Sequence, residues 1–205
     1  TAQAYYETVK QSGVLDRIKG ILFNLDVENP MLLETKARQC QKEILGIKFS
    51  KDLENSVKSF YRKLSRKIQA YVAVRSSATA EDLPGASFAG QQATFLNVRG
   101  EKELLEATLK CWASLFEPRA IFYRVQKKFD HFKVGIAVPV QLMIQSESSG
   151  VIFTVDPMSM DRDKLVIEAV WGLGDYIVQG VVSPDHYLVS KTTGEIISKN
   201  VSKKE

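Results

Sequence analysis

The apolar positions of the chain change period near residue 70. Ahead of that point they recur at helical spacing. Tyr5 to Leu22 is periodic with an interruption at Gly13, and Asn29-Pro30 supplies an N-cap followed by proline at the first helical position. The helix that begins there is expected to stop near Gly46. A third helix is predicted from a cap at Ser50 to Lys67, with Leu53, Val57, Tyr61, Leu64 and Ile68 as its apolar stripe.

Beyond residue 70 short β-branched runs take over. Tyr71 to Val74 suits a buried strand that delivers Arg75 at its end, and Ala93 to Val98 reads as the return strand. Glu101 to Phe116 is an amphipathic helix with Leu105, Leu109, Trp112 and Phe116 on one face; Glu117-Pro118 restarts a helix carrying Arg119, Phe122, Tyr123 and Val125, read as packing and surface pairing. Lys133 to Ile144 alternates, with Val138, Val140, Leu142 and Ile144 on one face and Ala137, Pro139, Gln141 and Met143 on the other. Gly150 to Val155 and Lys164 to Trp171 follow as strands around a turn at Met158 to Asp163. Gly172 to Asp175 turns into a short helix, Tyr176 to Gly180, and Asp185 to Lys191 with Glu195 to Asn200 form a hairpin about Thr193-Gly194. Helices followed by a mixed, mostly antiparallel sheet make the fold class α+β.

Composition narrows the setting. With 205 residues, 44% hydrophobic and 25% charged, the chain has the profile of a globular protein with a substantial core. No apolar run approaches the roughly 20 residues a membrane helix needs, and Thr-Ala-Gln-Ala-Tyr-Tyr is no signal peptide, so a cytoplasmic setting without a membrane partner is expected. Cys40 and Cys111 lie in helix-like stretches and read as reduced thiols. Residues 1–69 hold 13 Lys or Arg against 8 Asp or Glu, the remainder 15 against 16. The densest basic piece, Lys58 to Lys67, interleaves aromatics as a nucleic-acid patch would, but its apolar stripe makes it a solvated helix face, and no nucleic-acid partner is expected.

The candidate chemistry lies between Arg75 and the return strand. Ser76 to Gly90 is mainly Ser, Ala, Thr and Gly, which lets backbone amides approach an anion without Cβ clashes. Arg75 adds a planar fork that matches phosphate oxygens. The competing reading is a plain hairpin in which Arg75 pairs with Glu81 or Asp82. Gln141, polar in an apolar ladder, requires a hydrogen-bond partner: an adenine amino group or a neighbouring carbonyl. Glu168 sits in an apolar run and needs a basic or amide partner, with metal binding the lesser reading. His131 and His186 have no second ligand at metal spacing and read as hydrogen-bonded structural groups.

The run Val-Arg-Ser-Ser-Ala-Thr-Ala-Glu-Asp-Leu-Pro from Val74, continued by Ser-Phe-Ala-Gly-Gln-Gln from Ser87, resembles the nucleotide-binding segment of the phosphoenolpyruvate synthase and pyruvate phosphate dikinase family. The resemblance implies an ATP-grasp-like, two-lobed domain with nucleotide held between the lobes, residues 1–69 being a helical segment and 70–205 the nucleotide-binding region. It implies ATP and Mg²⁺ as cofactors. Arg75 would neutralise phosphate charge, Gly90 and Thr94 match the family's phosphate-contacting glycine and threonine, Gln141 matches its adenine-contacting glutamine, and Ser87 and Gln91 of the same motif complete the ATP-binding set. The family's metal ligands fall past Glu205 and its phosphate-contacting lysine ahead of Thr1, which fits a trimmed fragment with no catalytic residue of its own. In phosphoenolpyruvate synthases ATP phosphorylates a histidine on a mobile domain, and that phosphoryl group passes to pyruvate, giving phosphoenolpyruvate, AMP and phosphate. Two alternatives stay open: the rifampicin phosphotransferase branch, which shares the loop, and a non-catalytic nucleotide-binding module. The isolated chain is expected to bind ATP weakly and to turn over nothing.

Overall fold

Helix starts follow the capping residues. In a computed structural model, which describes residues 1–65, 69–79, 82–83, 86–87 and 93–202, α1 (Ala2–Gln11) is capped by the Thr1 hydroxyl, which accepts from Ala4 N at 3.3 Å. Gly13 takes φ +67° and separates α1 from α2 (Val14–Leu22), a left-handed turn that glycine makes without a Cβ penalty. Asn29 Oδ1 accepts from Leu32 N at 3.1 Å and opens α3 (Pro30–Leu45). Gly46 does end α3, but at φ −80°, so it closes the helix without a left-handed cap. Ser50 Oγ accepts from Leu53 N at 3.3 Å ahead of α4 (Lys51–Ser65); the expected end at Lys67, and Ile68 of the stripe, lie outside the described residues. On the solvent side of α4, Lys58 pairs with Glu54 and Arg62 with Glu101.

The strands of the first unit, Thr1–Met143, are β1 (Tyr71–Arg75), β2 (Ser77–Ala78), β3 (Asp82–Leu83), β4 (Ala86–Ser87), β5 (Thr94–Arg99), β6 (Ile136–Ala137) and β7 (Val140–Leu142). A three-stranded antiparallel sheet has the order β5-β1-β7, while β2 pairs with β6 and β3 with β4. The helical segment and this sheet thus share one unit. The single strand expected over Lys133 to Ile144 is instead two. Pro139 has no N–H to give a ladder, and its carbonyl accepts from Arg75 N at 3.0 Å while the chain passes from the partner of β2 to the partner of β1.

Between β5 and β6 run α5 (Glu101–Ala113), a 3-10 turn (Ser114–Phe116) and α6 (Pro118–Gln126). Of the expected apolar face, Trp112 and Phe116 are buried, whereas Leu105 and Leu109 form a half-buried flank; Leu104, Ala107, Thr108, Cys111 and Ala113 are buried as well. The shift arises because α5 serves two cores. Trp112 packs edge-on against Tyr5 and Phe49, with centroids 5.5 and 5.3 Å away, in a core with Ile18, Ala37, Ile44 and Phe116. Leu104, Ala107 and Cys111 join Val72, Val74, Val98 and Tyr61 in the other. Both cysteines are free and buried, and burial pushes each thiol up to about 12.

Arg124 of α6 is only 1% exposed. Its Nε donates to His131 Nδ1 at 2.9 Å, its Nη2 donates to the Leu115 carbonyl, and its guanidinium lies 5.8 Å from the centroid of the Phe116 ring. Burial pulls Arg124 down to about 10, against the influence of Tyr5 and Cys40. Because Nδ1 of His131 accepts, its proton sits on Nε2. Burial, then the Arg124 cation, pulls His131 down to about 4, opposed by Asp130.

The second unit, Ile144–Glu205, is a four-stranded antiparallel sheet, order β11-β10-β9-β8, from β8 (Ser148–Phe153), β9 (Lys164–Trp171), β10 (Asp185–Ser190) and β11 (Ile196–Asn200), with the one-turn α7 (Asp175–Val178) between β9 and β10. The β8–β9 turn is closed by Asp156, whose Oδ1 accepts from Met158 N and Oδ2 from Ser159 Oγ. Gly194, at φ +73°, turns the β10–β11 hairpin. A Cβ on Gly150 would lie 2.5 Å from the Glu168 carbonyl oxygen of β9. The fold is α+β, and no helix among the described residues is long and apolar enough to cross a membrane.

Two outcomes follow from this packing. His131 is neutral when folded down to about pH 4 but titrates near 6.5 when unfolded, so stability is full above pH 6.5 and falls as pH drops towards 4. The melting temperature of the wild type is expected to decline over that window, and His131→Asn, which keeps an acceptor for Arg124, to flatten the decline. Gly150→Ala must push β8 off β9 and is expected to cost about 1–3 kcal/mol in denaturant unfolding.

Candidate functional site

Which face of β1 meets solvent is decided by two valines. Val72 and Val74, both 0% exposed, point at α5, so period-2 alternation turns Tyr71, Ala73 and Arg75 the other way. The register places Thr94 of β5 opposite Arg75, Arg99 opposite Tyr71, and Gln141 of β7 opposite Ala73. Directly paired residues share a face. Arg75, Thr94 and Gln141 therefore stand together on the open face of the β5-β1-β7 sheet, and all three are exposed. None of these side chains makes a hydrogen bond or ion pair with another described residue.

Gln141 thereby departs from expectation. It is not a buried polar group in an apolar ladder, because β7 is a short edge strand and its outer face is uncovered. Gly90 and Gln91 lie outside the described residues, as does the side chain of Ser87, whose backbone pairs with Asp82 in β3 and β4. The expected alternatives for Arg75, Glu81 and the side chain of Asp82, lie outside them too.

The backbone around Arg75 is tied on both sides. Arg75 N donates to the Pro139 carbonyl at 3.0 Å; Ser76 N and Oγ both donate to the Ala93 carbonyl, at 2.9 and 3.0 Å. Ser76 is 7% exposed, so this doubled bond is shielded from water. Thr79 N donates to the Gly135 carbonyl at 2.9 Å, and Gly135 N donates to Thr79 Oγ1 at 3.0 Å. Gly135 in turn lies flat on Tyr6, whose ring carbons a Cβ would meet at 2.6 Å. The start of the small-residue segment is held to the neighbouring strands up to Thr79.

This face offers a guanidinium fork, a hydroxyl and a carboxamide, groups that bind phosphate oxygens and hydrogen-bonding rings. Among the described residues no three His, Cys, Asp or Glu side chains cluster as metal ligands. Glu168 is half-buried between Val151 and His186 across the second sheet, without the expected basic or amide partner among described residues. The side chain of His131 is hydrogen-bonded as expected, whereas that of His186 makes no hydrogen bond to a described residue. A groove of about 480 Å³ lined by Leu53, Val57, Phe60, Tyr61, Leu64 and Val140 also opens in the first unit. Its apolar walls do not suit a polyphosphate.

Sequence reasoning passed over three contributors: Ser76, Arg124 and Asn97. Arg124 gives no signal, since its burial depends on where Leu115 and His131 land. For Asn97 the letters are ambiguous: Phe95, Leu96 and Val98 are all apolar, and regular alternation would put Leu96, not Phe95, on the face of Val98.

The family model of the pyruvate phosphate dikinase AMP/ATP-binding domain matches residues 1–205. The chain is 48% identical over 208 residues to a probable phosphoenolpyruvate synthase of Methanocaldococcus jannaschii, covering 100% of this chain and 18% of that protein. It is 47% identical over 206 residues to a probable phosphoenolpyruvate synthase of Archaeoglobus fulgidus and 46% identical over 215 residues to the phosphoenolpyruvate synthase of Aquifex aeolicus, covering 100% of this chain and 27% and 25% of theirs. The chain thus spans less than a third of the length of these relatives. A match that runs from Thr1 to Glu205, at close to half identity, makes this chain a member of the pyruvate phosphate dikinase AMP/ATP-binding domain family.

Proposed function

We propose that the open face of the β5-β1-β7 sheet holds ATP for a phosphoenolpyruvate synthase. The observation that carries this is the exposed Arg75 guanidinium, unpaired by any described side chain, facing Thr94 across the strand pair with Gln141 on the same face. Arg75 forks onto phosphate oxygens and neutralises charge as the phosphoryl group departs. Thr94 Oγ1 donates to a second phosphate oxygen, and Gln141 reads the hydrogen-bonding edge of adenine. Ser87, Gly90 and Gln91 complete the phosphate contacts through the small-residue segment, in an ATP-grasp-like architecture.

The reaction assigned to the whole protein is transfer of a phosphoryl group from ATP to a histidine on a mobile domain and then to pyruvate, yielding phosphoenolpyruvate, AMP and phosphate in the cytoplasm. Mg²⁺ accompanies ATP as cofactor. The relatives' names and the family match support the reading. Among the described residues of the face, Arg75, Thr94 and Gln141 serve binding, orientation and charge neutralisation in the first half-reaction. Because no described side chain grips Arg75, an incoming phosphate displaces water from its guanidinium rather than a described carboxylate.

The test is an assay of the full-length protein with ATP and either pyruvate or a rifamycin. Pyruvate-dependent release of AMP and phosphate is expected, with about a 100-fold loss on Arg75→Ala and incomplete rescue by Arg75→Lys, which keeps charge but not the fork. Transfer to rifamycin alone, or ATP turnover indifferent to Arg75→Ala, overturns the assignment.

A further inference from the structure

Strand β5 carries one residue more than its partner needs. Val98 lies opposite Val72 and Phe95 opposite Val74, so three steps on β5 span two on β1. Leu96 and Asn97 share the place opposite Ala73, and Asn97 takes φ +57°. This is a β-bulge with its extra residue in the left-handed region, which asparagine tolerates better than other side chains bearing a Cβ.

The bulge decides what faces Arg75. Both Phe95 and Val98 belong to the core beside Leu104, Ala107 and Cys111. A regular ladder continued from the Val72–Val98 pair would bring Asn97 opposite Ala73, Leu96 opposite Val74 and Phe95 opposite Arg75. One slip of register exchanges every side chain between faces. The open face would then present an aromatic ring where it now presents a hydroxyl, and Phe95 would leave the core. Beyond the bulge the doubled Ser76–Ala93 bond locks the shifted register.

We propose that Asn97 is a positioning residue, whose left-handed backbone absorbs the extra residue of β5 and so phases Thr94 beside Arg75. The effect on nucleotide rests on the ATP reading above; the effect on register does not. A sharp consequence distinguishes it from a merely structural role. Deleting Asn97 removes the bulge but leaves Leu96 opposite Ala73, Phe95 opposite Val74 and Thr94 opposite Arg75, so a deletion is tolerated where a substitution is not.

The experiment reads register and affinity separately in the 205-residue chain. Register is read from cross-strand disulfide formation in two pairs, Arg75→Cys with Thr94→Cys and Arg75→Cys with Phe95→Cys, because only residues directly opposite come within bonding range. Affinity is read by ATP titration with Arg75 intact. Asn97→Gly and the deletion are expected to form the first pair and to bind ATP within about twofold of the parent chain; Asn97→Val, β-branched and poorly able to take positive φ, is expected to favour the second pair and bind at least about tenfold more weakly. If Asn97→Val does not fold, the deletion decides: retention of the first pair with parental affinity supports the proposal. A deletion that forms the second pair or loses affinity, or an Asn97→Val that keeps both, overturns it. Should Arg75→Ala bind ATP as well as the parent while the disulfides behave as expected, the ATP reading fails and the register assignment stands.

Discussion

The contact on which the site depends is the burial of Val72 and Val74 of β1 beneath Leu104, Ala107 and Cys111 of α5. A strand sealed on one face has no choice about the other. With both valines committed to the core, Ala73 and Arg75 must point to the opposite side, and the pairings to β5 and β7 carry Thr94 and Gln141 there with them. A polar trio is thus assembled on a rigid sheet by apolar packing behind it. The trio is held in place by packing behind it rather than by described side chains on its own face.

Two arginines of the same unit show the opposite uses of one side chain. Arg124 is buried, and its charge is made tolerable by a neutral imidazole, a backbone carbonyl and an aromatic face rather than by a carboxylate partner among the described residues. The cost appears on both sides of the bond, as a guanidinium and an imidazole each pulled well below their usual range. Arg75 stays in water with its donors free of the described side chains. One braces α6 against the turn that precedes it; the other remains available to an anion.

Much of the scaffold could be read directly from the residues. The Asn29 cap, the break at Gly13, the strand ending at Arg75 and the turn at Gly194 all rest on local chemistry that acts over a few positions. The misread features depend on what arrives from elsewhere in the chain. Lys133 to Ile144 alternates well enough for one strand, but Pro139 divides it between two sheets. Leu105 and Leu109 look like the face of α5, yet two cores on adjacent sides draw in Leu104, Ala107 and Cys111 instead. Of the site, Arg75, Thr94 and Gln141 were legible as residue types and only the register showed that they share a face. The three-residue spacing of Phe95 and Val98 was visible in the letters, and its meaning depended on knowing that both belong to one core.

The central claim is that nucleotide sits on the open face of the β5-β1-β7 sheet. Backbone amide shifts of the isotope-labelled chain, followed as ATP is added, test it most directly. The account predicts the largest shifts at Ala73, Arg75, Thr94 and Gln141. Shifts that spare these four and gather instead at Leu53, Val57 and Phe60 around the apolar groove would contradict it.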